Sequence, residues 1–192
     1  MSLHPLLENA AVGEMPAWAE ATPARREHAG RVAVLMGGWA EGLGLDAAGE
    51  SRWRAAGVLH DALRDADPDA LRPRIAPGLQ ALPAFVLHGP AAAERLRVEG
   101  VNDGEFLRAI AYHTLGHPGL DQLGVALYAA DFLEPGRDLL NDWREDLRER
   151  MPGDLINVVR EILAARLGHL LEAGRPVRSE TMAFWNSLSH EG

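Results

Sequence analysis

Apolar residues along the chain recur at helical spacing, and punctuating residues cut the pattern into segments. Thr22-Pro23 predicts a helix start, with Thr at the N-cap and Pro at the first helical position. Val32, Leu35, Met36 and Trp39 then form a stripe, and His28 lies one turn before Val32 on the same side. Gly42-Leu43-Gly44 ends that helix. A second helix is predicted over 50–63, with Trp53, Ala56, Gly57 and His60 on one face, and Asp67-Pro68 opens a short third segment. After Pro73, Pro77 and Pro83, the stretch 84–100 sets His88 at a kink beside Gly89-Pro90. Asn102 with Glu105 resembles a capping box that opens a helix through Phe106, Leu107, Ile110 and His113. Leu120, Leu123, Leu127 and Asp131 are spaced 3, 4 and 4 apart, which puts Asp131 in line with an apolar stripe that Pro135-Gly136 stops. The stretches 138–150 and 154–173, with Gly174 as a C-cap signal, and a tail from Ser179 predict two or three further helices. Residues 1–21 read as a short helix or loose arm. The expectation is one all-α domain spanning 1–192.

Composition supports a packed protein. Hydrophobic residues make up 47% of the 192 and charged residues 24%, enough apolar content to build a core and to exclude intrinsic disorder. The 28 acidic and 19 basic residues give a net charge of −9, which argues against a nucleic-acid or anionic-lipid footprint. All 19 of those basic residues are Arg, and Lys is absent. Cys is absent too, so disulfides, thiolate metal sites and Cys nucleophiles drop out together, and any metal must be held by His and carboxylate. The N-terminus lacks the charged and apolar regions of a signal peptide, and no run of 18 apolar residues occurs, so a cytoplasmic location and no membrane partner are expected.

Four of the eight His (His28, His60, His88 and His113) end or line faces that otherwise read as core, and Asp61 and Asp131 join them. One inward His is usually a satisfied core residue. Four with two inward Asp would make a costly interior, because every buried polar group needs a partner. One or two metal ions would satisfy all six. Such donors suit Fe, Mn, Co, Ni or Zn better than Ca or Mg. Consecutive helical positions diverge by about 100°, so His60 and Asp61 cannot point the same way, yet a carboxylate with two oxygens can bridge a pair of ions. Two ions about 3.5–4 Å apart would clamp a bridging water, lower its pKa and neutralise a phosphoryl group. The implied chemistry is metal-assisted hydrolysis of a phosphate ester or anhydride.

His28, His60-Asp61 and Asp131 resemble the H…HD…D signature of the HD-domain phosphohydrolases, and His88 and His113 resemble the additions of its dinuclear branch. The blocks VLHDALRD (58–65), LHGPAAAERL (87–96), AIAYHTLGHPGL (109–120) and ADFLEPGR (130–137) are similar, in order, to those of the bacterial YqeK-type family. The resemblance implies an all-α HD-domain helical bundle, with a core over about 22–140 and a C-terminal helical extension over about 141–192. It implies two divalent transition metal ions, iron first among them, and symmetrical cleavage of diadenosine tetraphosphate to two ADP by a metal-bridged hydroxide.

By position, it implies that His28, His60, Asp61 and Asp131 hold one ion, and that Asp61, His88 and His113 hold the other. Asp61 and Arg64 become the catalytic residues, with Arg64 standing where the family often has a phosphate-reaching Lys. Thr114, Gly116, His117 and Arg137 join Arg64 as expected substrate contacts. The chain departs from the family pattern at Leu115, His117, Leu120 and Gly136. The expected partner is a small-molecule nucleotide, and a homodimer is left open. Three rival readings remain: a nucleotidase or phosphodiesterase of another small phosphate compound, a metal-bearing regulatory module that binds nucleotide without turnover, and a soluble helical protein whose His are structural. His4, His169 and His190 receive no role.

Overall fold

The computed structural model describes residues 3–136 and 141–189, and these contain α1 (Pro5–Ala11), α2 (Pro23–Gly42), α3 (Ala47–Leu59), α4 (Pro68–Leu71), α5 (His88–Val98), α6 (Gly104–Tyr112), α7 (Gln122–Leu133), α8 (Asn141–Arg150), α9 (Leu155–Glu172) and α10 (Ser179–Leu188). The expected all-α class holds: no strand occurs among the described residues. The proline-rich stretch between α4 and α5 forms three 3₁₀ turns, at Arg72–Arg74, Pro77–Leu79 and Ala84–Val86. No helix among the described residues is long and apolar enough to cross a membrane.

Two boundaries differ from the sequence expectation. The helix predicted over 50–63 begins at Ala47, because the Asp46 carboxylate accepts from the Gly49 N–H at 2.8 Å and supplies the cap. It ends at Leu59, where three-residue turns take over: Ala62 N–H donates to Leu59 O at 3.2 Å and Arg64 N–H to Asp61 O at 3.0 Å. The cap of α6 is Asp103 rather than Asn102. Its Oδ1 accepts from the Phe106 N–H at 3.0 Å, while Arg52 of α3 grips the same carboxylate at 2.6 and 2.9 Å. Val101, 1% exposed, is drawn into the core and sets this register.

Two packing features position the site. The first is the crossing of α2 and α3, where Gly57 lies against the Ala33 backbone; a Cβ at Gly57 would sit 2.5 Å from Ala33 Cα. Only hydrogen fits there, and the close approach sets His28 and His60 side by side. The second is α7, whose buried residues cover nearly every face and which packs on α2, α3, α6 and α9. A helix apolar all round belongs at the centre of a bundle, and α7 carries Asp131 to that centre.

Candidate metal centre

The six proposed ligands come from five places in the fold. His28 lies on the second turn of α2, His60 follows the last residue of α3, and Asp61 begins the turn after it. His88 opens α5, His113 caps the C-terminal end of α6, and Asp131 sits near the end of α7. All four His and Asp61 are buried, and Asp131 is half-buried. The two adjacent residues converge because the helix stops between Leu59 and Ala62, which turns the Asp61 side chain inward next to His60.

The nitrogens and oxygens meet closely. His28 Nε2 lies 3.3 Å from His60 Nε2 and 3.2 Å from Asp131 Oδ1. His88 Nε2 lies 3.1 Å from both His113 Nε2 and Asp61 Oδ1. Two backbone carbonyls decide the tautomers: His60 Nδ1 is 2.9 Å from Gly57 O, and His113 Nδ1 is 2.8 Å from Ile110 O. A carbonyl only accepts, so both Nδ1 atoms carry the proton, and in the neutral rings both Nε2 atoms present bare lone pairs. His28 Nδ1 faces the Glu134 carboxylate at 3.4 Å, which leaves its Nε2 turned inward as well. Lone pairs of imidazole and carboxylate thus point at one another in a buried space. A cation would stabilise that arrangement, so the donor set fits a metal.

At Asp61, Asp131, His60 and His88 charge agrees with ligand-competent protonation states, whereas His28 and His113 carry a proton that a metal would displace. Burial works against the ionised forms of Asp61 and Asp131, yet the surrounding imidazoles hold both well below the usual carboxylate range. Burial pushes His60 down to about 4. It lowers His88 too, with His113 and Arg64 adding repulsion. His28 and His113 are raised: burial resists, and the neighbouring carboxylates outweigh it.

Around this cluster the expected substrate contacts divide. Arg64 donates to Phe85 O at 3.2 Å and lies near enough to His88 to disfavour its charged form. Thr114 Oγ1 lies 3.1 Å from His113 Nε2. Gly116 N–H donates to Tyr112 O at 2.8 Å, its φ is +77°, and a Cβ there would lie 2.0 Å from a Phe184 ring carbon, so the Phe184 ring packs directly against it. His117 stacks on Tyr112 with centroids 4.4 Å apart and accepts from the Gly119 N–H at 2.9 Å, so its Nδ1 is occupied within its own loop. Arg137 lies outside the described residues.

Sequence reasoning missed the supports. Buried Glu134 faces His28 and is itself held by Arg31 Nε at 2.6 Å and the Gly136 N–H at 2.9 Å. It stands inside the block ADFLEPGR, whose Glu was the available signal. Arg166 of α9 donates to Thr114 O at 3.1 Å, and nothing in the linear pattern marks it.

The HD domain family model matches residues 25–156. Among curated proteins, the chain is 28% identical over 150 residues to the symmetrical bis(5'-nucleosyl)-tetraphosphatase of Halalkalibacterium halodurans, covering 75% of this chain and 79% of that one. It is 30% identical over 148 residues to the protein of the same name from Staphylococcus aureus, covering 73% and 75%. A crystal structure from Clostridium acetobutylicum, of a protein described as a predicted HD superfamily hydrolase involved in NAD metabolism, superimposes with a TM-score of 0.77. At 21% identity it covers 95% of this chain and 94% of its own, and it shares the fold.

Proposed function

The chain belongs to the HD domain family, and from that premise we propose that it is a metal-dependent hydrolase of nucleotide phosphoanhydrides that cuts diadenosine tetraphosphate symmetrically into two ADP. The names of its curated relatives supply the substrate. The observation that carries the reading is the division of the Asp61 carboxylate between two imidazole pairs. Oδ2 lies 3.8 Å from His28 Nε2 and 3.7 Å from His60 Nε2, whereas Oδ1 lies 3.1 Å from His88 Nε2 and 3.5 Å from His113 Nε2. A carboxylate so divided suits two cations. The proposed ligand sets are His28, His60, Asp61 and Asp131 for one, and Asp61, His88 and His113 for the other. Imidazole-rich donors favour Fe, Mn, Co, Ni or Zn.

When bound, the ions supply Lewis acidity that polarises a phosphoryl oxygen and offsets its charge. The chain's own residues bind and orient. Gly57 O and Ile110 O keep His60 and His113 in the tautomer that turns Nε2 inward. Glu134, gripped by Arg31, does the same for His28. Asp61 orients the attacking water by accepting its hydrogen bond. Arg64 offers a planar fork to phosphate oxygens, and the Thr114 hydroxyl offers a donor beside His113.

The test is product analysis. Metal-depleted protein reloaded singly with Fe, Mn or Co is expected to convert diadenosine tetraphosphate to ADP alone, and His60→Ala and Asp61→Ala to abolish turnover. ATP with AMP as products would refute the symmetrical cut. If wild type and both variants bound ADP equally and none released product from any nucleotide offered, the chain would be a binding module and not a hydrolase.

A further inference from the structure

A symmetrical cut needs two phosphates held on each side of the scissile bond, and Arg64 accounts for one point on the rim of the centre. We propose that Arg166, supplied by α9, is a second phosphate-binding residue of the same site. This inference rests on the hydrolase reading for its substrate and on independent geometry for its residue.

The guanidinium of Arg166 is held between two residues that each adjoin a proposed ligand. Its Nη2 donates to Thr114 O at 3.1 Å, and Thr114 Oγ1 is 3.1 Å from His113 Nε2. Its Cζ lies over the Tyr128 ring, 5.0 Å from the centroid, and Tyr128 stands one turn before Asp131 on α7.

Among the described residues its charge is unanswered. Arg31, Arg52 and Arg150 each meet a carboxylate at 2.6 or 2.7 Å, whereas Arg166, half-buried, meets a carbonyl and a ring and no carboxylate among the described residues. A partly buried cation without a counter-charge is stabilised when an anion arrives, and a carbonyl on one amino group leaves the remaining donors of the fork for phosphate oxygens. Arg64 repeats the pattern, with a carbonyl, Phe85 O, as its hydrogen-bond partner. Arg166 also lies beyond residue 156, where the family match ends.

The experiment compares metal-loaded wild type with Arg166→Gln and Arg166→Lys. Affinity for inorganic triphosphate is measured by calorimetry, KM and kcat with diadenosine tetraphosphate, and metal affinity separately. Arg166→Gln is expected to weaken triphosphate binding and raise KM roughly ten- to a hundredfold, the range for a hydrogen bond to a charged group. Metal affinity should stay at the wild-type value, and Arg166→Lys should recover part of the loss. Unchanged triphosphate affinity in Arg166→Gln would overturn the inference. So would a parallel fall in metal affinity with no rescue by Lys, since the residue would then act only by holding the Thr114 loop. Wild type that binds triphosphate through Arg166 yet cleaves no dinucleotide would sink the hydrolase reading and leave this one standing.

Discussion

At the residue scale, the centre depends on groups that aim the proposed ligands as much as on those ligands themselves. His28 is aimed by Glu134, and Glu134 by Arg31 and the Gly136 N–H. Loss of such an outer partner typically lowers metal affinity about ten- to a hundredfold. Glu134→Gln is therefore expected to weaken metal binding by that order, measured by competition with a chromogenic chelator, and an unchanged affinity would show that His28 needs no support. The six clustered His and Asp side chains were readable from the sequence because each lies on or at the end of a buried helical stripe. The pairing of Glu134 with Arg31 was not, because that contact spans 103 positions. The misplaced cap has a similar cause: Asn102 and Asp103 both cap well, and burial of Val101 decided between them.

At the element scale, the α2–α3 crossing is the tightest constraint. A methyl group at Gly57 meets the Ala33 backbone, which cannot move aside as a flexible side chain would. Gly57→Ala is expected to destabilise the protein by about 1–3 kcal/mol through overpacking, seen as a lower urea midpoint. The start of α6 is a second such point. Burial works against ionised Asp103, but Arg52 and the Phe106 N–H outweigh it and hold its carboxyl below the ordinary value. A carboxyl depressed on folding contributes stability that is present above its unfolded pKa of about 3.9 and is lost as pH falls through the folded value. Wild type should therefore lose stability below about pH 4 more steeply than Asp103→Asn, by denaturant melts at successive pH values. Parallel pH profiles would contradict this.

At the scale of the whole molecule, the C-terminal helices brace the centre from outside. Thr181 of α10 donates to Leu115 O at 2.8 Å, Phe184 packs beneath Gly116, and Arg166 of α9 holds Thr114 O. Phe184→Ala removes a buried ring and should cost about 3–5 kcal/mol. It should also raise amide exchange over 113–117 above that of the α2–α3 crossing, and uniform loosening would argue against a local brace. Metal binding to the native state should raise stability by about 2.7 kcal/mol at a hundredfold excess over Kd, and His60→Ala should abolish most of that gain.

The sequence by itself determined the helical class and which six side chains face inward, because apolar spacing and helix punctuation are local. It determined too that a metal here must meet imidazole and carboxylate, because Cys is absent. Only the tertiary structure decided how those six meet. The Asp61 oxygens part between imidazoles that α2, α5 and α6 bring from distant parts of the chain, whereas the tautomers rest on the local Gly57 and Ile110 carbonyls, three residues before each ring. It also decided that Phe184 packs against Gly116, and that an arginine 52 residues beyond Thr114 reaches the same rim. Contacts between distant segments depend on how whole helices cross, and that crossing is set by packing, not by spacing along the chain.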